Sequence, residues 1–245
     1  MKPFLLLATR AEDVAADSEY AAFLTFSGLD ASQLHRLRLE RRPLGDVRLD
    51  DWSGILLGGG PFNASDPDKT KSPVQRRVES ELTGLLDEVV RRDFPFLGAC
   101  YGIGVLGTRL GGTVDRGYAE PISRVPVTLT DAGRCDPLLG GLPTTFQAFV
   151  GHKEAIRDLP PSAVHLASSP ACPVQAFRVG RNVYATQFHP ELDVEGLVTR
   201  IEVYRHHGYF DPDKADSVKA MAREGRVSEP PKILRRFVER YRVEA

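Results

Sequence analysis

Short apolar runs alternate along this chain with longer stretches in which apolar residues recur every three or four positions. Phe4 to Thr9, Leu37 to Glu40 and Gly54 to Leu57 read as strands. Ser18 to Leu29 carries Tyr20, Phe23, Leu24 and Phe26 and predicts a helix closed by Gly28. Leu44 to Asp51 is turn-rich, with room for a short extended piece. A clear helix start lies at Ser72-Pro73-Val74-Gln75, where capping-box spacing coincides with proline at the first helical position. Val78, Leu82, Leu85, Leu86, Val89 and Val90 then share one face, ending near Arg91-Arg92. Phe94 to Leu97 follows as a buried strand, and Ile103, Val105, Leu106 and Leu110 predict a helix ending at Gly111-Gly112. Strand–helix alternation of this kind implies a parallel sheet with helices on both faces.

The second half has a different rhythm. Val125 to Thr130, Phe146 to Val150, Val164 to Ser168, Val174 to Val179 and Val183 to Phe188 are short strand candidates, the last two joined by a Gly180-Arg181-Asn182 turn. Asp193 is placed to cap a helix carrying Leu197, Val198, Ile201 and Tyr204 and ending at Gly208. From Phe210 onwards the chain is charge-rich and helical in pattern; its last helix shows Ile233, Leu234, Phe237, Val238 and Tyr241 on one face, behind Pro230-Pro231. These shifts divide the chain into a main unit, residues 1–209, and a helical C-terminal extension, residues 210–245.

Composition narrows the function classes. With 32 basic and 33 acidic residues in 245, the net charge of −1 gives no electrostatic case for nucleic-acid or membrane binding. The apolar start, Phe4 to Ala8, soon meets Arg10, Glu12 and Asp13 and reads as a strand rather than a leader; a cytoplasmic setting is the expectation. Three cysteines without close spacing speak against a disulfide framework or a zinc site, and neither a metal nor a cofactor is expected. Cys135 and Cys172 have no chemical frame around them and read as structural.

Cys100 does have one. The segment Gly98-Ala99-Cys100-Tyr101-Gly102 places a thiol at a strand-to-helix turn between close glycines, a nucleophile-elbow pattern with sulfur in place of oxygen. The N-terminus of the following helix is expected to favour the thiolate. Of the six histidines, His189 stands at the end of an apolar strand, in Gln187-Phe188-His189-Pro190-Glu191. Pro190 bends the chain so that Glu191 can return to the imidazole, which yields Cys100, His189 and Glu191 as nucleophile, base and orienter. The Tyr101 N–H and the loop Gly58-Gly59-Gly60 supply oxyanion donors. Asn63 to Ser72 reads as a surface loop, whose place beside the glycine turn is the one reason to consider a lid. His206-His207 read as facing a helix dipole or solvent, and the basic cluster Arg235, Arg236, Arg240 and Arg242 as a solvated helix face, with a partner interface as the alternative.

The elbow, the earlier Gly58-Gly59-Gly60-Pro61 and the later Gln187-Phe188-His189-Pro190-Glu191 together resemble the class I, triad-type glutamine amidotransferases, with closest wording in stand-alone GMP-synthase-like members, where Gly151-His152-Lys153-Glu154 also has a counterpart. The resemblance spans about Phe4 to Tyr204. It implies a flavodoxin-like three-layer α/β fold with a mostly parallel central sheet. It also implies hydrolysis of glutamine's side-chain amide through a γ-glutamyl thioester, with ammonia passed to an acceptor enzyme. By the same resemblance Gly59, Gly60 and Tyr101 serve the oxyanion, and backbone around Val150, Gly151 and His152 holds the amino-acid end of the substrate, although for His152 a surface-loop role is nearly as natural a reading. One position departs from the family pattern: four residues after the nucleophile, where the family usually carries a substrate-binding glutamine, this chain has Gly104. There is no phosphate-loop or ATP-pyrophosphatase motif, so the acceptor, a synthetase, is expected on another chain. Two other readings stay open: a cysteine hydrolase of γ-glutamyl amides or peptides with no acceptor, and a non-catalytic regulatory relative.

Overall fold

All five residues of Phe4–Ala8 (β1) are buried because the strand serves two cores at once. Phe4 and Leu6 enter one apolar cluster, and Leu5 and Leu7 enter another. The computed structural model describes residues 1–244. In it, Asp13–Ser27 (α1), Leu34–Arg38 (β2), Gly54–Leu57 (β3), Pro73–Arg91 (α2), Phe96–Ala99 (β4) and Tyr101–Arg109 (α3) follow β1 in order. The second half contributes Thr113–Asp115 (β5), Glu120–Leu129 (β6), the short Asp131–Arg134 (α4), Thr145–His152 (β7), Ala155–Asp158 (β8), Ala163–Ser168 (β9), Ala176–Val179 (β10) and Val183–Thr186 (β11). Val194–Val203 (α5), Ala215–Arg223 (α6) and Pro230–Tyr241 (α7) complete the chain.

The main sheet has nine strands in the order β2-β1-β3-β4-β11-β10-β9-β6-β7. The five from β2 to β11 run parallel, and β10, β9, β6 and β7 extend the sheet in antiparallel fashion. Helices α2 and α3 cover one face through Val78, Leu82, Leu86, Ile103 and Leu106, against Leu5, Leu7, Ile55 and Phe96. On the other face, Phe23 of α1 and Ile233, Leu234 and Phe237 of α7 share a core with Phe4, Leu6, Leu56 and Leu97. The result is the three-layer α/β fold expected from the pattern. Helix α6 lies beside α5, burying Ala215 and Ala222 with Leu197 and Ile201.

The differences from the expected elements have local causes. Helix α1 starts earlier, at Asp13, because Ala15, Ala16 and Glu19 lie on its buried side, and a buried glutamate does not register as apolar. Strand β2 is shifted to Leu34–Arg38, where Leu34 is its buried anchor. Leu49–Asp51 is a 3₁₀ turn. Strands β5 and β8 pair as a separate two-stranded sheet too short to show a period. Ser72 caps α2, its Oγ accepting the Gln75 N–H at 3.1 Å, but the Gln75 side chain donates to the Asn63 carbonyl and Glu79 instead of closing a capping box. Asp193 caps α5 as expected, and α5 ends at Val203, before a turn reaching Gly208. The Arg236 guanidinium, read from sequence as solvated, instead donates to the Leu138 carbonyl at 2.9 Å.

Candidate active site

The site forms at the carboxyl ends of the parallel strands, where α/β sheets place their ligand crevices. β4 runs between β3 and β11, with Gly98 opposite Leu57 and Ala99 opposite Thr186. Cys100 follows directly, and its N–H donates to the Thr186 carbonyl at 2.8 Å. The next residue begins α3. This abrupt change of direction puts Cys100 at φ 51° and ψ −94°, a positive-φ conformation that costs a non-glycine residue roughly 1–3 kcal/mol. Gly98 permits the turn by close approach: a Cβ there would stand 3.0 Å from the Gly102 Cα. The Cys100 side chain remains partly open to a crevice that it shares with Arg10, Val150, Gly151, His189 and Arg200.

His189 follows β11, and its N–H is held by the Phe149 carbonyl at 3.3 Å. Its Nδ1 lies 2.8 Å from Glu191 Oε1 and 3.1 Å from Arg200 Nη1. A guanidinium can only donate, so Nδ1 cannot both donate to Glu191 and accept from Arg200. The shorter contact and the carboxylate's charge assign the proton to Nδ1, which leaves the Nε2 lone pair for the crevice. Both residues pack against Gly59: a Cβ at position 59 would lie 2.5 Å from His189 Cε1 and 3.3 Å from Cys100 Cβ. Glycine is needed here for close approach rather than for its torsion angles, since no residue of the Gly58-Gly59-Gly60 loop has positive φ.

The electrostatics set the resting state. Burial is the main influence on the Cys100 thiol and, with Glu154 and Glu191 adding to it, pushes it up to about 12 against the pull of Arg10 and Arg200. Burial likewise lowers His189, with Arg200 and Arg10 adding to the effect and Glu191 opposing it. Burial alone would raise the Glu191 carboxyl, but His189 and Arg200 overcome it and hold the group well below the usual carboxylate range. These influences favour a thiol and a neutral imidazole at rest over the thiolate expected from the helix N-terminus, because desolvation outweighs the pull of Arg10 and Arg200.

Three charged residues of this network carry no motif and went unread in the sequence. Arg200 Nη2 donates to Glu191 Oε1 at 2.8 Å and to Glu19 Oε1 at 3.2 Å. Arg10 Nε donates to the same Glu19 oxygen at 2.9 Å, and Arg10 Nη1 donates to the Tyr204 hydroxyl at 3.2 Å. The signal was present as charge on an apolar helix face. Glu19 is four residues from Ala15 and from Phe23, and Arg200 lies between Leu197 and Ile201.

The remaining expected residues divide. Among the described residues, neither the Gly59, Gly60 nor Tyr101 N–H donates to another carbonyl. Val150 and Gly151 line the crevice with Cys100. His152, for which a surface-loop role was nearly as natural, is buried: Nε2 lies 3.0 Å from Glu120 Oε2 and Nδ1 2.9 Å from the Glu154 carbonyl. With both ring nitrogens engaged, only its backbone is free for a ligand. Cys172 completes a buried grouping with Glu120 and His152, their ligand atoms lying within 4.8 Å of one another, but its side chain has no open surface. The loop Asn63 to Ser72 is tied to the site through Glu154, whose Oε1 and Oε2 accept the N–H groups of Ala64 at 2.8 Å and Ser65 at 2.7 Å. Among the described residues no helix is long and apolar enough to cross a membrane.

Comparison with known proteins agrees with this architecture. Residues 33–215 match the family model for "Glutamine amidotransferase class-I". The chain is 32% identical over 151 residues to a component of the glutamine-hydrolyzing GMP synthase of Methanospirillum hungatei, a match covering 61% of this chain and 69% of the relative. It is 29% identical over 151 residues to the corresponding GMP synthase component of Thermococcus kodakarensis, covering 61% and 72% of the two chains. The crystal structure of a glutamine amidotransferase from Thermotoga maritima superposes with a TM-score of 0.74 at 20% identity, over 98% of both chains. That of a glutamine amidotransferase from Methylobacillus flagellatus gives 0.73 at 20% identity, over 100% of this chain and 97% of the other. At such identities the structures speak for the fold alone, but the family match spans most of the sequence, and the chain belongs to the class-I glutamine amidotransferases.

Proposed function

We propose that Cys100 attacks the side-chain amide of glutamine, with His189 as base and acid and Glu191 as orienter, and that the ammonia released serves an acceptor enzyme on another chain. The observation that supports this reading is the convergence on Gly59, against which a strained cysteine and an imidazole both pack, with the imidazole Nδ1 2.8 Å from a buried carboxylate. With the thiol protonated at rest, His189 Nε2 takes the Cys100 proton as sulfur bonds to the amide carbon. The tetrahedral oxyanion accepts from the N–H groups of Gly59 or Gly60 and Tyr101. Collapse breaks the C–N bond, and the imidazolium returns its proton to the leaving nitrogen, giving ammonia and a γ-glutamyl thioester. Water, deprotonated by His189, then attacks the thioester, releasing glutamate and restoring the thiol. Relatives named as components of glutamine-hydrolyzing GMP synthases support an acceptor of the synthetase type. In this reading residues 1–209 carry the chemistry, 210–245 form a helical extension packed onto them, and the reduced thiol suits a cytoplasmic setting.

The test is release of glutamate and ammonia from glutamine by the purified chain, alone and with candidate synthetases, for the wild type and Cys100→Ala. Turnover by the wild type and none by the variant is expected. Equal background release from both would remove Cys100 from the reaction.

A further inference from the structure

Gly104 lies one helical turn beyond Cys100, and its missing side chain has a physical counterpart. A Cβ at position 104 would stand 2.6 Å from Glu154 Oε1 and 3.5 Å from Ala64 Cβ. The carboxylate cannot swing aside freely, since it accepts the Ala64 and Ser65 N–H groups. Glycine at 104 therefore leaves space that Glu154 occupies.

Glu154 is 6% exposed, and among the described residues no cation pairs with it. The neighbouring lysines are engaged elsewhere. Lys153 Nζ donates to the His207 carbonyl at 2.6 Å and lies 4.5 Å from the Tyr209 ring centre, while Lys71 Nζ pairs with Glu79 at 2.6 Å. Burial raises the Glu154 carboxyl, and the two backbone N–H groups oppose that shift. A buried carboxylate without a cation is costly and is satisfied when a ligand supplies one. Glu154 is also not sealed away, because it lines a lobe of the crevice together with Gly60, Asn63, Cys100 and Tyr101. An adjoining lobe carries Arg10 and Arg200, and among the described residues Glu154 is the single acidic residue lining either lobe.

We infer that Glu154 accepts the α-ammonium group of the substrate amino acid, and that Gly104 gives this carboxylate its place. The inference rests on glutamine as substrate and specifies what recognises its amino end. The spacing is suitable: about 5 Å separates the amide carbon of extended glutamine from its α-nitrogen, and four helical residues rise about 6 Å. Amides lacking the α-amino group, and glutamine acylated on it, are therefore poor substrates.

The experiment compares L-glutamine with its des-amino analogue, 5-amino-5-oxopentanoic acid, in wild type, Glu154→Gln, Glu154→Asp and Gly104→Ala. Two readouts are used: kcat/KM for amide hydrolysis, and calorimetric Kd in a Cys100→Ser background. Wild type is expected to prefer glutamine by tenfold or more in both. Glu154→Gln should bring the preference within about twofold, Glu154→Asp should keep part of it, and Gly104→Ala, by displacing the carboxylate, should reduce it. If Glu154→Gln fails to fold, Glu154→Asp and Gly104→Ala carry the comparison. Equal slowing of both substrates with unchanged preference would overturn the inference and leave Glu154 as a loop anchor. Discrimination in binding without any turnover would overturn the proposed hydrolysis while sustaining the ammonium site, and absence of both would overturn the two together.

Discussion

Gly59→Ala is the smallest change that tests whether the thiol and imidazole both pack against the glycine loop. The added methyl would lie 2.5 Å from His189 Cε1, 3.1 Å from Arg10 Nη2 and 3.3 Å from Cys100 Cβ. Ordinary carbon contacts begin at about 3.5 Å, so the ring must retreat by about 1 Å. It has little freedom to do so, being 5% exposed and bonded through Nδ1 to Glu191. Misplacing a catalytic group by about 1 Å costs on the order of 100-fold in rate, or roughly 2.7 kcal/mol of barrier. Overpacking should cost about 1–3 kcal/mol of stability as well. Steady-state glutamate release with thermal unfolding separates the two effects. Gly84→Ala is the control: nothing lies within 4 Å of its added Cβ in α2, and helix propensity favours alanine by about 1 kcal/mol, so activity should hold and Tm should rise slightly. A Gly59→Ala enzyme with kcat within threefold of wild type and an unchanged Tm would refute the placement of His189 against the loop.

Three further outcomes concern the buried ion pair and the buried thiol. Arg200→Met leaves the Glu191 and Glu19 carboxylates without the cation that joins them and should cost about 3–5 kcal/mol in urea unfolding; a loss under about 1 kcal/mol would show that the bridge is unimportant. Because the folded state raises the Cys100 thiol from its ordinary 9.0 to about 12, iodoacetamide labelling should keep climbing above pH 9, and a plateau near pH 7 would contradict the resting thiol. The sign for stability is the same: the folded state favours the protonated thiol, so its contribution is whole below about 9 and is lost as pH rises towards about 12. Cys100→Ala should show a shallower alkaline loss in urea titrations, with Cys172, raised for the same reason, accounting for part of the remainder.

The sequence carried the sheet order poorly and the element types well. Leu5 and Leu7 against Phe4 and Leu6 show why: a strand buried on both faces announces itself as a run without saying which strands flank it. The elbow and the His-Pro-Glu stretch were readable because each combines a reactive residue with turn-forming neighbours. Glu19, Arg200 and Arg10 were not, since a charge on an apolar stripe looks like an interruption until its counter-charge, far away in sequence, is known. His152 erred the other way: a histidine near a glycine in a polar stretch suggests a surface position, and only the tertiary placement of Glu120 shows that it is enclosed. The thiol's high value was equally hidden, as desolvation depends on what packs around the elbow rather than on the elbow itself.

Arg10, Glu19, Arg200 and Glu191 stand in a row of alternating sign drawn from four separate parts of the chain: the segment after β1, α1, α5 and the turn after β11. Such a row creates epistasis. Any one member replaced alone strands its neighbours as uncompensated charges, whereas Arg10 and Glu19 replaced together by apolar residues of similar volume remove one charge of each sign and leave the Arg200–Glu191 pair intact. A scan of single substitutions would mark all four positions as intolerant, and a pairwise scan would recover stability, though not the field that Arg10 exerts on Cys100. Divergence at these positions is thus expected to proceed by paired rather than single replacements.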